Sequence, residues 1–358
     1  NYTDPNFELP NDWRAQLAAD YYFDIPMLGD GFRATTSLLY IRKKDEPVWK
    51  NTAIEPVGVA ADGERLIFDS IYEGGRADNY DIMMTNADED GRSWIFTQSL
   101  AKSWDNGLSM TMSYAHQDVE ENTPGSSSQA QSNYKHYPIV NRNHPFAARG
   151  DYEIEHSLKI TLGYEKEFFD GYATKVNLFW ERRSGRPFSY TMSMYNDGDF
   201  GDTPDFWSQS VYLPYIPTGA DDPNVDWENS VSWDELSYML AQAGIEPGGY
   251  ILDRNTGTQP WITDMDLSIQ QEVPGFSDGH KGTLYLTIDN FANLLNDDWG
   301  IERRMGYPQQ PLYDFGGLSD DGRYQIERLF NGYTVQNWDE YDITGSSWSL
   351  KVGVRYEF

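Results

Sequence analysis

From Ser347 to Phe358 apolar and polar residues alternate without a break. Trp348, Leu350, Val352, Val354, Tyr356 and Phe358 share one parity, and Ser347, Ser349, Lys351, Gly353, Arg355 and Glu357 the other. A strand points successive side chains to opposite faces, so this segment has one greasy face and one polar face. The same two-residue period recurs in 12–24, 32–43, 93–105, 107–119, 153–168, 173–189, 260–273 and 283–291. In 12–24, for example, Trp13, Ala15, Leu17, Ala19, Tyr21 and Phe23 oppose Arg14, Gln16, Asp20 and Asp24. In 260–273, Trp261, Met265, Leu267, Ile269 and Val273 oppose Asp264, Asp266, Ser268, Gln270 and Glu272. The pattern predicts nine strands, several longer than the ~9–11 residues that cross a bilayer.

The connections between these segments alternate in length. Residues 25–31, Asp105-Asn106-Gly107, Asp170-Gly171 and 274–282 are short, and Asp-Gly and Asn-Gly pairs favour tight hairpin turns. Residues 44–92, 120–152, 190–259 and 292–346 are long. Outer-membrane barrels have short periplasmic turns and longer extracellular loops, with apolar side chains to lipid and polar ones to the lumen. The expected fold is therefore all-β, a transmembrane antiparallel β-barrel with its C-terminus periplasmic and its long loops extracellular. Nine crossings would place residue 1 outside the cell. Single-chain bacterial barrels have even strand numbers, so at least one strand is expected before Asn1. Extra hairpins at 64–72 or 322–338 would add strands in pairs and leave that parity unchanged.

Within the long connections, Ser232 and Glu235 form a capping-box pattern ahead of Leu236, Met239 and Leu240, and Gly244 follows. This predicts a short amphipathic helix. Segment 121–133 is polar and reads as an exposed loop tip.

Composition supports the wall and narrows the chemistry. The 358 residues include 12 Trp and 25 Tyr, yet there is no apolar run of transmembrane-helix length. There is no cysteine, which removes disulfides, thiol nucleophiles and cysteine metal sites. The net charge of −30 opposes nucleic-acid binding and favours divalent cations or basic ligands. Asp197, Asp199 and Asp202, spaced by glycines, could wrap a calcium ion; the alternative is a solvated acidic loop. Asp221-Asp222 and Asp320-Asp321 are weaker candidates of the same kind. Phe206, Trp207, Tyr212, Tyr215 and Trp227 could grip a ligand in the loop 190–259, or simply pack it into an ordered cap. Asp264, Asp266, Glu272 and Asp289 are placed on the inner wall. The five histidines have no metal-ligand spacing in sequence, no Ser-His-Asp arrangement stands out and no phosphate loop is present. A non-enzymatic role is expected.

The terminal Lys351, Gly353, Tyr356 and Phe358 resemble the signal by which the barrel-assembly machinery takes its substrates. Further upstream, Ser184–Thr191, Asn255–Phe276 and Leu286–Gly300 together resemble the C-terminal barrel region of the Oar-like branch of TonB-dependent outer-membrane receptors. The likeness is closest over 150–300 and at the terminus. It implies the C-terminal part of a 22-stranded barrel with a plugged lumen, embedded in outer-membrane lipid and lipopolysaccharide and opened by the TonB complex acting on an N-terminal plug. The resemblance does not fix the ligand: a surface protein or peptide, a glycan or a chelate all remain open. The residues alone leave open a passive porin of about this length and a surface adhesion or assembly module anchored by a barrel.

Overall fold

A computed structural model describes residues 1–73, 81–123, 125–193, 200–202, 212–303, 309–330 and 342–358. Nine long strands form one antiparallel meander in chain order: β1 (Asn11–Ile25), β2 (Gly29–Lys44), β3 (Gly91–Ser103), β4 (Leu108–Glu121), β5 (His156–Phe169), β6 (Tyr172–Arg183), β7 (Ile262–Pro274), β8 (Lys281–Asp289) and β9 (Ser349–Glu357). These are the nine segments that the alternation predicts. Among the described residues no ladder joins β1 to β9. Nor is any helix there long and apolar enough to cross a membrane.

Register carries the parity of each strand to its neighbours. Leu17 pairs with Leu38, Leu38 with Phe96, Phe96 with His116 and His116 with His156. Further along, Trp180 pairs with Met265, Leu267 with Ile288 and Ile288 with Leu350. The apolar sets of all nine strands therefore share one face. Most of that face is not covered: Trp13 is 70% exposed, Val352 73% and Leu284 46%, although Phe32 and Ile288 are buried. Burying each such side chain would be worth ~1.5–3 kcal/mol, so a contiguous bare apolar face needs an apolar medium or partner.

The short links lie at one end of the sheet. At the β4–β5 side of that end, Gly107 sits at φ +90° and a Cβ there would lie 2.0 Å from the Glu165 carbonyl oxygen. Only glycine fits this turn.

All four long connections leave from the other end and fold together into a cap. Its main sheet runs Gly257–Thr258, Pro187–Ser193, Gln309–Leu318, Tyr324–Leu329, with a parallel pairing of the middle two strands. A separate hairpin pairs Ile54–Val59 with Leu66–Ser70. Leu66–Ser70 and Tyr324–Leu329, in the regions where extra hairpins would have added wall strands, pair within the cap instead, and 331–338 lie outside the described residues. The segment predicted as one strand over 173–189 breaks after Arg183. Gly185 packs so closely that a Cβ would lie 2.3 Å from the Gln259 carbonyl oxygen, and Pro187 then starts a cap strand.

The expected helix is present as α1 (Trp233–Ala243). Ser232 caps it reciprocally with Glu235, Gly244 closes it in the left-handed region, and Leu236, Met239 and Leu240 are buried. Residues 121–133 are not a free tip throughout. Asn122 is fully buried, and its side chain donates to Glu46 and to the Glu89 carbonyl, each at 2.8 Å.

Candidate functional site

The face of the sheet opposite the apolar one is polar and lined with paired charges. Asp289 accepts from Lys351 at 2.7 Å and from Ser349 at 2.8 Å. Glu272 accepts the Ala173 amide at 3.0 Å and Lys281 at 3.3 Å. Asp266 accepts the Asn290 amide at 2.9 Å. Asp264 stands opposite Glu181 on adjacent strands, while Glu181 itself is reached by Lys159 at 3.3 Å and Arg183 at 3.7 Å. By register the four predicted carboxylates share the polar face, opposite the apolar one. Two of them, Asp289 and Glu272, are already neutralised by lysines. Asp264 and Asp266 lie on the same face beside Glu181, whose charge Lys159 and Arg183 offset. Like carboxylates opposite each other repel, and a cationic group of a ligand would relieve that repulsion.

The cap holds the hydrophobic core of the chain. Phe188, Tyr190, Met192, Phe200, Tyr212, Leu213, Tyr215, Ile216, Leu236, Leu240, Tyr313, Phe315, Tyr324 and Ile326 all belong to it. Here the aromatic ligand grip needs correction. Tyr212 and Tyr215 are fully buried and Trp227 packs partly buried against the same cluster. They hold loops together and present no exposed rings. Tyr215 stacks on Tyr324 at 4.9 Å and donates to Asp222, and burial pushes its phenol up to about 12. Phe206 and Trp207 lie outside the described residues.

The acidic loop reads differently as well. Asp197 and Asp199 are outside the described residues. Asp202 is buried, accepts the Tyr212 hydroxyl and lies 3.4 Å from the Arg142 guanidinium. Burial raises its pKa, while Arg142 and Tyr212 oppose that rise. Its charge is thus matched by an arginine, and its place in the interior is structural rather than that of an exposed calcium ligand. Asp222 is likewise buried, accepting from Thr218 and from the Asn224 amide as well as from Tyr215. Asp321 pairs with Arg323 at 2.8 Å.

Three fully buried arginines were not foreseen from the sequence. Arg65 donates from Nε to the Tyr324 hydroxyl at 3.1 Å, from Nη2 to the Leu213 carbonyl at 2.5 Å and from Nη1 to the Val140 carbonyl at 3.5 Å. Its guanidinium also lies 4.6 Å over the Phe200 ring. Those partners come from the other three long connections, so one side chain ties all four. Arg142 sits 4.4 Å over the Tyr212 ring. Arg254 fastens the cap to the sheet rim through the Glu121, Asn122 and Ala148 carbonyls, with Tyr137 4.2 Å beneath it. An isolated Arg in a polar loop carries no periodic signal, which is why sequence reasoning passes over it.

At the base of the cap is a polar cleft of about 410 Å³, lined by His136, Tyr137, Asp151, Tyr152, Ser189 and Asn255 among others. Burial lowers the His136 pKa and raises that of Asp151. Hydrogen-bonding groups with exposed Tyr152 suit a small polar ligand better than an apolar one.

With this geometry in view, comparison with known proteins adds nothing: no protein-family model, curated protein or solved structure matches the chain. The chemistry therefore rests on the residues themselves. At the C-terminus, Lys351 engages Asp289 and Gly353 makes room for the Tyr285 ring, which a Cβ would meet at 2.1 Å. The Tyr356 hydroxyl accepts the Phe276 amide at 3.0 Å, and Phe358 is 97% exposed.

Proposed function

We propose that this chain is part of the barrel of an outer-membrane receptor of the TonB-dependent, Oar-like type, which takes its ligand at an extracellular cap and passes it along a polar inner wall. The observation that carries the reading is the inversion of the usual burial pattern. The apolar face of the nine-strand sheet is mostly bare, while the apolar core sits in the long connections. In lipid that arrangement costs nothing, because the acyl chains supply the missing partner.

The spacing of the aromatics agrees. Trp13 and Phe23 in β1, and Trp348 and Phe358 flanking β9, are each ten residues apart on their outward parity. Ten residues of strand rise about 33 Å. A tilt of ~40° reduces this to roughly 25 Å, the height of the apolar band between two aromatic girdles. Among the described residues β1 and β9 each pair on one side only, and further strands of a larger barrel would pair on the other. A plug engaging the TonB complex, lipopolysaccharide around the wall, and delivery by the barrel-assembly machinery through the terminal Lys351, Gly353, Tyr356 and Phe358 belong to this reading. So does the absence of any bond-making step.

Two measurements on the protein carrying this sequence, isolated from its own membranes, test it. Outer-membrane fractionation with heat-modifiable migration, and cleavage of the cap by protease added to intact cells, are expected. Recovery from the soluble fraction would sink the barrel. In planar bilayers a plugged receptor passes no steady current, whereas a large open conductance would mean a passive porin.

A further inference from the structure

We infer that His116, His156 and Glu155 form a binding site for a zinc-class divalent cation on the outward side of the sheet, where the apolar band meets the charged rim. Spacing along the chain hides the site; cross-strand register makes it. His116 and His156 are directly paired on β4 and β5, and Glu155 immediately precedes β5. The three offer ligand atoms that all lie within 4.8 Å of one another, on side chains that are half-buried. Two imidazoles and a carboxylate are a donor set that suits zinc over calcium or magnesium, which prefer oxygen alone.

Each ligand has a partner that orients it. His116 Nδ1 lies 3.0 Å from the Glu155 carbonyl oxygen. A carbonyl only accepts, so Nδ1 carries the proton and the Nε2 lone pair is free to bind a metal. His156 Nδ1 lies 2.9 Å from the Tyr114 hydroxyl, while its Nε2 is 3.4 Å from Glu155 Oε1. The other Glu155 oxygen is held by Arg149 at 3.0 Å. Arg149 also pairs with Glu153 at 2.6 Å. One guanidinium thus serves two carboxylates, while a second, Arg182, lies 5.6 Å over the Trp261 ring that stacks on His156.

The two imidazole rings are now stacked, with centroids 5.0 Å apart, and His156 stacks in turn on Trp261 at 5.9 Å. Tetrahedral zinc with ~2.0–2.1 Å bonds needs its ligand atoms about 3.3 Å apart. Rotation of the rings out of the stack, with closure by roughly an ångström or more, brings the lone pairs together. Three protein ligands would leave a fourth position for water or an anionic group. Bound metal would clamp β4 to the start of β5 and, through Arg149 and its 2.9 Å bond to Thr258, to the cap.

The test uses the detergent-solubilised protein carrying this sequence, stripped with chelator and titrated with Zn²⁺ by calorimetry. One equivalent should bind and should vanish in the His116→Gln, His156→Gln double variant, with excess Ca²⁺ or Mg²⁺ failing to compete. Co²⁺ should give the visible bands of a tetrahedral nitrogen–oxygen site, lost in the same variant. Tyr114→Phe removes only an orienting hydroxyl and should weaken binding about 10- to 100-fold. Heat-modifiable migration checks that each variant is folded. Stoichiometry unchanged in a folded double variant, or no binding by the parent protein, would overturn the proposal.

Discussion

Replacing Arg65 by Met should loosen the cap while leaving the sheet intact. Methionine fills much of the same volume but donates nothing. The Leu213 carbonyl, 2.5 Å from Arg65 Nη2, and the Tyr324 hydroxyl, 3.1 Å from Nε, would lose their donor. Tyr324 also donates to Asp62 at 2.6 Å, so that carboxylate loses a neighbouring positive charge. Hydrogen bonds from a charged donor contribute ~1.5–3 kcal/mol each, and stacking over Phe200 adds up to about 2 kcal/mol when desolvated. Against these stands the desolvation of the guanidinium itself, which the substitution relieves. Each buried acceptor left without its donor costs ~1–3 kcal/mol, so the loss comes to roughly 3–5 kcal/mol on balance. At 1.4 kcal/mol per factor of ten, cap opening should rise roughly 100- to several-thousand-fold. Amide hydrogen exchange reads this directly. Protected amides of Tyr324–Leu329 and Tyr215–Ile216 should exchange faster by that factor, while β5 and β6 stay unchanged. Exchange in the cap within about threefold of the parent, or equal acceleration in β5 and β6, would refute the idea that one guanidinium holds the four connections together.

Three further outcomes follow from the same geometry. Val352→Arg places a charge midway along the bare face of β9 and should lower the folding stability of the protein in lipid by ~2–4 kcal/mol; an unchanged denaturant midpoint in vesicles would argue against lipid contact there. Burial holds the Tyr190 and Tyr215 phenols up at about 12, against ~10 in an unfolded chain. Their contribution to cap stability is therefore full below pH ~10 and is lost as pH rises through about 12, so protease should begin to cut the cap in that window while heat-modifiable migration persists. Deleting the exposed Phe358 should block delivery to the outer membrane and not the function of assembled barrels; normal surface levels of the truncated protein would count against an assembly signal.

The cap and the wall obey different physics, and they were unequally legible. A strand with one face to the core or to lipid must alternate, because its side-chain period is two. That rule alone located all nine wall strands, the shared face of Asp264, Asp266, Glu272 and Asp289, and which connections were long. The helix after Ser232 was equally local, since a capping box and a left-handed glycine act within a few residues. The interior of the cap was not local. Tyr212 and Tyr215 could have been exposed ligand contacts until Arg65, Arg142 and Tyr324 closed over them from other connections, far away in the chain. Asp202 looked like a calcium ligand until Arg142 arrived beside it. His116 and His156 lie forty residues apart in the chain, and only the register of β4 against β5 makes them neighbours. Periodicity records which way a side chain faces; its partner is decided by which segments meet, and that information exists only once the chain has folded.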